Sequence, residues 1–239
     1  MFERDRSYPT AITGDDFENA ELDAIAWAAE QQKTVGGSIL IYVPTKASLH
    51  DSEGPLAQMA KLPGVVVATP KTGIYEWSGG PVIVAWPTRE SLAQLADQSR
   101  VKALCVIPWG PEDASAWQQA ANPELLGTAK PPAANEALDP VVAVGLKHLT
   151  HLVNHANNLA GGLDHRDAVA VLRELHRGGY RLPAEAVYAF ALAHGWPGRG
   201  AERLRELASK IDAGKAVRLQ GPSPLRSDIL QRWRDEAAA

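Results

Sequence analysis

Apolar and polar positions along this chain follow two rhythms: to about residue 121, short apolar runs alternate with stretches of helical spacing, and beyond residue 140 only the helical spacing persists. Asp15, Asp16 and Glu18 suit the positive end of a helix. Phe17, Leu22, Ile25 and Ala29 follow at helical spacing to about residue 32, before Gly36 and Gly37. Ser38-Ile39-Leu40-Ile41-Tyr42-Val43 is a continuous apolar run of strand length, as expected of a strand covered on both faces. A helix over 55–62, a strand over 65–68, a strand over 81–86, a helix over 88–98, a strand over 103–107 and a helix over 111–121 complete this part.

The eleven residues 69–79 are marginal for a helical crossover. Gly73-Ile74-Tyr75-Glu76-Trp77, followed by Ser78-Gly79-Gly80-Pro81, reads instead as a hairpin arm and its turn. The pattern therefore predicts an α/β fold with a mixed, mostly parallel sheet of four to five strands, helices on both faces, and an all-helical region after it. Two segments echo each other. Tyr42-Val43-Pro44-Thr45-Lys46-Ala47-Ser48-Leu49 and Ala85-Trp86-Pro87-Thr88-Arg89-Glu90-Ser91-Leu92 are both strand, proline, threonine, cation, then Ser-Leu. Proline stops a strand and threonine caps the following helix, so punctuation explains most of the echo.

Residues 127–139 read as a linker between an α/β domain over 1–126 and a helical domain over 140–220, with a C-terminal tail over 221–239. Val142, Leu146, Leu149, Val153 and Ala156 form one helical stripe. Asp164 and Asp167 open a second helix that ends at Gly178-Gly179, Pro183 begins a third that stops at Gly195, and a fourth runs over 200–213. The tail is short and amphipathic and contains Trp233.

Charge divides along the same line. Residues 1–138 hold ten Lys/Arg against seventeen Asp/Glu, a balance of −7. Residues 139–239 hold fourteen against eleven, a balance of +3, with six of the seven histidines. This split favours an anionic partner for the C-terminal part, although solvated helix faces drift in composition without one. The first six residues carry mixed charge and no apolar core, unlike a secretory leader, and the apolar runs are strand-length rather than membrane-spanning. The single cysteine, Cys105, excludes an internal disulfide and a cysteine-rich zinc module, and its apolar setting marks a buried structural thiol. The expected location is the cytoplasm, without membrane attachment.

Nucleotide-binding P-loops, G-x-S-x-G elbows, H-E-x-x-H pairs and C-x-x-C pairs do not occur in the sequence. Candidate chemistry starts at the strand ends, because open α/β sheets bind ligands beyond the carboxyl ends of their strands. Thr45, Lys46, Lys71, Thr88 and Arg89 fall there and suit an anionic ligand; as capping threonines and solvated cations they need none. His148, His151 and His155 fall within an arc of about 60° on a continuous helix, yet no carboxylate or thiol accompanies them, so neither metal nor cofactor is expected.

Ala191 and Gly195 stand four apart, with Trp196 and Leu204 at apolar positions, and this resembles helix-turn-helix motifs; His194 and Pro197 depart from the pattern. That resemblance implies nucleic-acid contact through Arg199, Arg203, Arg205, Lys210 and Lys215. Leu40-Ile41-Tyr42-Val43-Pro44-Thr45-Lys46 and Val65-Val66-Val67-Ala68-Thr69-Pro70 resemble strands of the second RecA-like domain of helicases, over about a dozen residues and without the arginine finger or nucleotide loop that ATPase activity needs. Ala103-Leu104-Cys105-Val106-Ile107-Pro108-Trp109 and Phe190-Ala191-Leu192-Ala193-His194-Gly195-Trp196 resemble uncharacterised proteins of high-GC Gram-positive bacteria, which implies an architecture and no activity.

The sequence thus favours a non-catalytic intracellular binding protein, its helical region contacting a nucleic acid or a protein and its α/β domain sensing a ligand or serving assembly. The alternatives are an enzyme acting on a phosphorylated or anionic small molecule, with Glu76, Glu112 or Asp113 as acid/base groups, and a structural oligomer subunit anchored by exposed Trp77, Trp109, Trp117 and Trp233. Oligomeric state stays open.

Overall fold

A computed structural model describes residues 8–14, 16–50, 53–110, 114–132 and 136–239, with the backbone alone at Phe17, Glu18 and His50. The chain divides into two compact units, Met1–Ala133 and Ala134–Ala239.

The first unit is built on strands β1 (Thr10–Ile12), β2 (Ile39–Tyr42), β3 (Val65–Ala68), β4 (Gly80–Ala85), β5 (Val101–Ile107) and β6 (Glu124–Leu125), with helices α1 (Phe17–Val35), α2 (Ala47–His50), α3 (Pro55–Met59), α4 (Arg89–Ala96) and α5 (Ser115–Ala121). The order across the sheet is β3-β2-β4-β5-β1-β6, and every pairing among the described residues is parallel. The α/β fold with helices on both faces is as the sequence predicts; the mixed sheet of four to five strands is not.

Two apolar layers sandwich the strands. Ile39, Ile41, Ile83, Ala85, Ala103 and Cys105 pack with α1, α2 and α3. Leu40, Tyr42, Val82, Val84, Leu104 and Val106 pack with α4 and with Trp117 of α5. Alternate residues thus face opposite helical layers, which is why the runs are apolar throughout.

The hairpin expected at 73–77 does not form. Strands β3 and β4 lie on either side of β2 in the same direction, so residues 69–79 carry the chain back from one sheet edge to the other. They do so without a helix, by pinning Trp77: its Nε1–H donates to the Ser38 carbonyl at 2.8 Å and its own carbonyl accepts from Arg100 at 2.6 Å. The glycines read as a hairpin turn serve this close passage instead. Gly79 and Gly80 have φ of 131° and 142°, and a Cβ on Gly80 would stand 2.5 Å from the Ser38 carbonyl oxygen.

The apolar stripe of α1 also differs from expectation. Its buried face is Ala20, Ala24, Trp27 and Ala28, while Leu22 is exposed. Alanines let the helix approach β4 and β5 closely, so small residues outcompete the larger ones for the inner face. Glu21 is buried on that face, where its Oε2 accepts from the Leu56 N–H at 2.9 Å and satisfies an open amide at the start of α3. Trp27 reaches the far edge strand by donating from Nε1 to Glu124 at 2.9 Å.

The second unit comprises α6 (Pro140–Leu152), a 3-10 turn (His155–Asn157), α7 (Gly162–Arg177), α8 (Ala184–Ala193), α9 (Gly198–Asp212) and α10 (Ile229–Ala237). Asp139 caps α6 through the Val141 N–H at 2.8 Å. Helices α8 and α9 pack together, and α10 packs on α6. Among the described residues no helix is long and apolar enough to cross a membrane.

Of the four tryptophans expected at the surface, only Trp109 is exposed; Trp77, Trp117 and Trp233 are buried. Three of the four proposed interface anchors are therefore spent on packing.

Cys105 lies at the centre of β5, fully buried, and burial pushes its thiol pKa well up, with the Glu124 and Asp23 carboxylates adding to the effect. A thiol held protonated is a poor nucleophile. Under native conditions Cys105 should react with a disulfide reagent at least about a hundredfold more slowly than in denaturant, which a stopped-flow thiol assay at pH 8 measures.

Candidate functional site

Because β3, β2 and β4 are neighbours and parallel, their carboxyl ends stand side by side. Thr69 and Lys71 follow the first, Thr45 and Lys46 the second, Thr88 and Arg89 the third. Lys46 and Lys71 are exposed and Arg89 is half-buried.

The threonines act locally. Thr45 accepts from the Ser48 N–H at 3.2 Å and Thr88 from the Ser91 N–H at 3.2 Å. Thr69 and Thr72 exchange the same bond, with Thr72 Oγ1 accepting from the Thr69 N–H at 2.9 Å and Thr69 Oγ1 from the Thr72 N–H at 3.2 Å. The repeated Thr-x-x-Ser is thus helix capping, as the punctuation reading of the echo has it. What the caps accomplish is to turn the chain sharply after β2 and β4, leaving the next side chain, Lys46 or Arg89, at the carboxyl edge.

Open α/β sheets offer a crevice where adjacent strands send their following helices to opposite faces. Two such places exist here. Between β1 and β5 the crevice is filled: the Leu126 N–H donates to the Ile12 carbonyl at 2.9 Å, Gln118 Nε2 donates to the Lys130 carbonyl at 2.7 Å, and a Cβ on Gly14 would collide with Thr128. The second lies between β2, followed by α2 and α3, and β4, followed by α4. Lys46 and Arg89 flank this one.

At the end of β4 stands Trp86, with φ of 53°. A bulky residue in the left-handed region, directly before a proline, is a strained arrangement. It is held by the Trp86 N–H, which donates to the Ile107 carbonyl at 2.7 Å. The indole is 4% exposed, and its Nε1–H lacks an acceptor among the described residues. Trp109, just beyond β5, lies against it with ring centroids 5.5 Å apart and planes tilted by 36°, yet is itself 56% exposed. Neither tryptophan was singled out for this edge by sequence. The Trp86-Pro87 step after an apolar strand was visible, but nothing in it discloses a positive φ.

Of the acid/base candidates, Glu76 does not join this edge. Glu76 is exposed and directly precedes Trp77, whose bond to Ser38 places it at the amino edge, before β2 begins. Glu112 and Asp113 lie outside the described residues.

In the helical unit, Arg199, Arg203, Glu206 and Lys210 recur along one stripe of α9 and are exposed, while Ala201, Leu204, Leu207, Ala208 and Ile211 face inward. Most of the cations have internal duties. Arg203 donates to the Asn158 carbonyl at 2.8 Å, where Asn158 and Leu159 both have positive φ. Arg205 pairs with Glu202 and, at 3.4 Å, with Glu185, and the Glu202 carboxylate drives it further toward the charged form. Lys210 pairs with Glu206 at 3.5 Å. Lys215 is exposed beyond the helix.

Residues 138–234, nearly the whole helical unit, match a family described as a domain of unknown function, DUF1889. No curated protein matches the chain.

The three histidines do not share a helix face. Helix α6 ends at Leu152, Val153 is extended, and His155 sits in the following turn. His155 stacks on Trp196 at 5.0 Å and His148 meets Trp233 edge-on at 5.7 Å. Among the described residues no group of three His, Cys, Asp or Glu side chains is placed to hold a metal ion. Burial lowers the His148 pKa, the nearby His151 adds to this, and Glu236 opposes it. A folded-state pKa below the unfolded value of about 6.5 favours the neutral ring, so its stabilisation is present above that pH and is lost as pH falls through the lower folded value. The melting temperature of the helical unit should fall between pH 7.5 and pH 5, and His148→Gln should flatten that fall; parallel melting curves across this range would show that His148 is not the titrating group.

Proposed function

We propose that this protein is a non-catalytic binding protein whose α/β unit takes an anionic small molecule at the carboxyl edge of β3, β2 and β4. One observation carries the reading: three adjacent parallel strands are each followed by a cation at the same edge, beside the point where β2 and β4 send their helices to opposite faces. Lys46 and Lys71 form no ion pair among the described residues, so their charge is available to a ligand. The placement of Glu76 at the opposite edge takes that carboxylate out of acid/base work at this site.

Inorganic pyrophosphate is the plainest probe. A ligand bound only by the folded state stabilises by about 2.7 kcal/mol at a hundredfold excess over Kd. Pyrophosphate should therefore raise the melting temperature of the α/β transition at low salt. Lys46→Glu with Lys71→Glu, both exposed and tolerable to within about 0.5 kcal/mol, should abolish the rise while leaving the unliganded melt in place. A rise that persists in the double variant would remove these residues from the site.

For the helical unit, the exposed stripe of Arg199, Arg203 and Lys210 supports contact with a partner surface of opposite charge. Glu206 within the stripe and the internal ion pairs keep the local field small. Nucleic-acid binding by the full chain should accordingly be weak, indifferent to sequence and reduced steeply by salt. Fluorescence anisotropy with duplex and single-stranded probes from 20 to 200 mM salt, over which the Debye length shortens about threefold, tests this. No binding at the lowest salt would leave an acidic protein surface as the partner.

A further inference from the structure

Strand β3 ends the sheet, with β2 on one side and no strand on the other among the described residues. Its ladder to β2 fixes which way its peptide groups point. The Ile39 N–H donates to the Gly64 carbonyl at 3.2 Å and the Val43 N–H to the Ala68 carbonyl at 3.1 Å. Pairing alternates along a strand, so Val66 also turns toward β2 while Val65 and Val67 turn their peptide groups outward. At both ends outward groups are taken up locally. The Val65 N–H donates to the Leu62 carbonyl at 3.3 Å, and the Thr69 carbonyl accepts from the Gly73 N–H at 2.9 Å. The Thr69 N–H donates to Thr72 Oγ1 at 2.9 Å. What is left is the Val65 carbonyl and, on Val67, a matched N–H and carbonyl.

This edge lacks the features that ordinarily keep such strands apart. No charged residue occurs from Leu62 to Pro70, β3 pairs with β2 without a bulge, and Val65, Val66 and Val67 are all partly exposed. Two large apolar side chains flank it: Leu62, 56% exposed just before the strand, and Tyr75, 88% exposed in the segment that follows. The Tyr75 ring lies over Gly73, where a Cβ would stand 2.7 Å from it, so it is held against the backbone beneath it. The far edge differs, because β6 is two residues long and offers no comparable template.

We propose that two copies of this chain pair through β3, antiparallel, across a two-fold axis at Val67. In that register the two Val67 residues form a hydrogen-bonded pair, each donating its N–H to the other's carbonyl. Two six-stranded sheets then run on as one. The occupant follows from the edge itself. An N–H and a carbonyl turned outward on one residue are complementary to the same residue rotated by half a turn, the geometry of an isologous contact. Because only one edge of the sheet is long enough to pair, the association closes at two copies instead of extending into a fibre. Both apolar layers continue across the axis: Val65 and Val67 on the side of α1 to α3, Val66 and Ile74 on the other.

Sedimentation equilibrium of the full-length chain from about 1 to 100 µM, the range of a micromolar contact, should show the mass rising from one chain to two. Val67→Pro removes the outward donor, and proline is tolerated on an edge strand where that N–H faces away from the ladder. It should weaken the dimer at least about tenfold and leave the circular dichroism spectrum unchanged. Val67→Cys locates the axis. Paired residues of this kind have Cα atoms about 5.5 Å apart, within the span of a disulfide, so mild oxidation should link the variant into a covalent dimer. The unaltered chain, whose Cys105 is buried, should stay unlinked. Should the proline variant lose its folded spectrum, the cysteine variant decides alone. A chain that remains monomeric at the highest concentration, a dimer that folded Val67→Pro leaves intact, or a Val67→Cys chain that fails to cross-link would each overturn the pairing.

Discussion

Parallel strands buried on both faces constrain everything else in the α/β unit. Each strand must be followed by a return path outside the sheet, because a parallel neighbour starts at the opposite end. All carboxyl ends therefore gather at one edge and all amino ends at the other, so that residues distant in sequence, Lys46, Lys71 and Arg89, are neighbours by topology alone. The amino edge is closed by close packing: Trp77 bonded to Ser38, Arg100 bonded to the Trp77 carbonyl, and glycines where a side chain would not fit. At the carboxyl edge the loop over 126–130 closes the crevice beside β1. The anion site proposed above lies on the stretch spanned by β3, β2 and β4.

What was legible in the sequence follows from the same constraint. Strands β2, β4 and β5 announce themselves because two-sided burial makes them apolar almost throughout, with the exposed Lys102 near the start of β5 excepted. Strand β1 is three residues long and β6 two, too short for any periodicity, so the sheet reads narrower than it is. Residues 69–79 mislead because the signature of a hairpin turn, glycines beside aromatic and β-favouring residues, is also that of a backbone squeezed between neighbours. On α1 the sequence shows large apolar residues and the fold uses alanines, since distance to the sheet rather than hydrophobicity selects the inner face. Of the candidate cations, Lys46 and Arg89 were legible from the echo and Lys71 from its place after an apolar run. The pairing of Trp86 with Trp109 was not, because a dihedral angle leaves no trace in composition.

Charge shows the difference between counting and placing. The helical unit has the positive balance, yet Arg205, Lys210 and Arg203 are engaged by Glu202, Glu185, Glu206 and the Asn158 carbonyl. Half-exposed pairs of this kind add little stability, but each one removes a charge from the field a partner would meet. The α/β unit has the negative balance and nevertheless concentrates cations at one edge. Local potential depends on which charges face each other within about a Debye length, roughly 8–10 Å in ordinary salt. Net charge per segment therefore does not say where on a unit its cations gather.

The strain at Trp86 ties the fold to the site. Holding a non-glycine residue in the left-handed region costs on the order of 1–2 kcal/mol. Two local gains offset it. The Trp86 N–H extends the β4–β5 ladder by one bond to Ile107, worth roughly 1 kcal/mol, and the indole is carried back over the layer formed by Trp27, Leu49 and Leu56, where burying an aromatic ring is worth a few kcal/mol. Glycine would relieve the dihedral but forfeit the ring; an extended tryptophan would keep the ring but aim it elsewhere and carry Pro87 and Thr88 with it, displacing the start of α4. One unfavourable angle thus sets three things together: the seal over the core, the turn that places Arg89, and the position of a buried N–H at the edge where the ligand is proposed to bind.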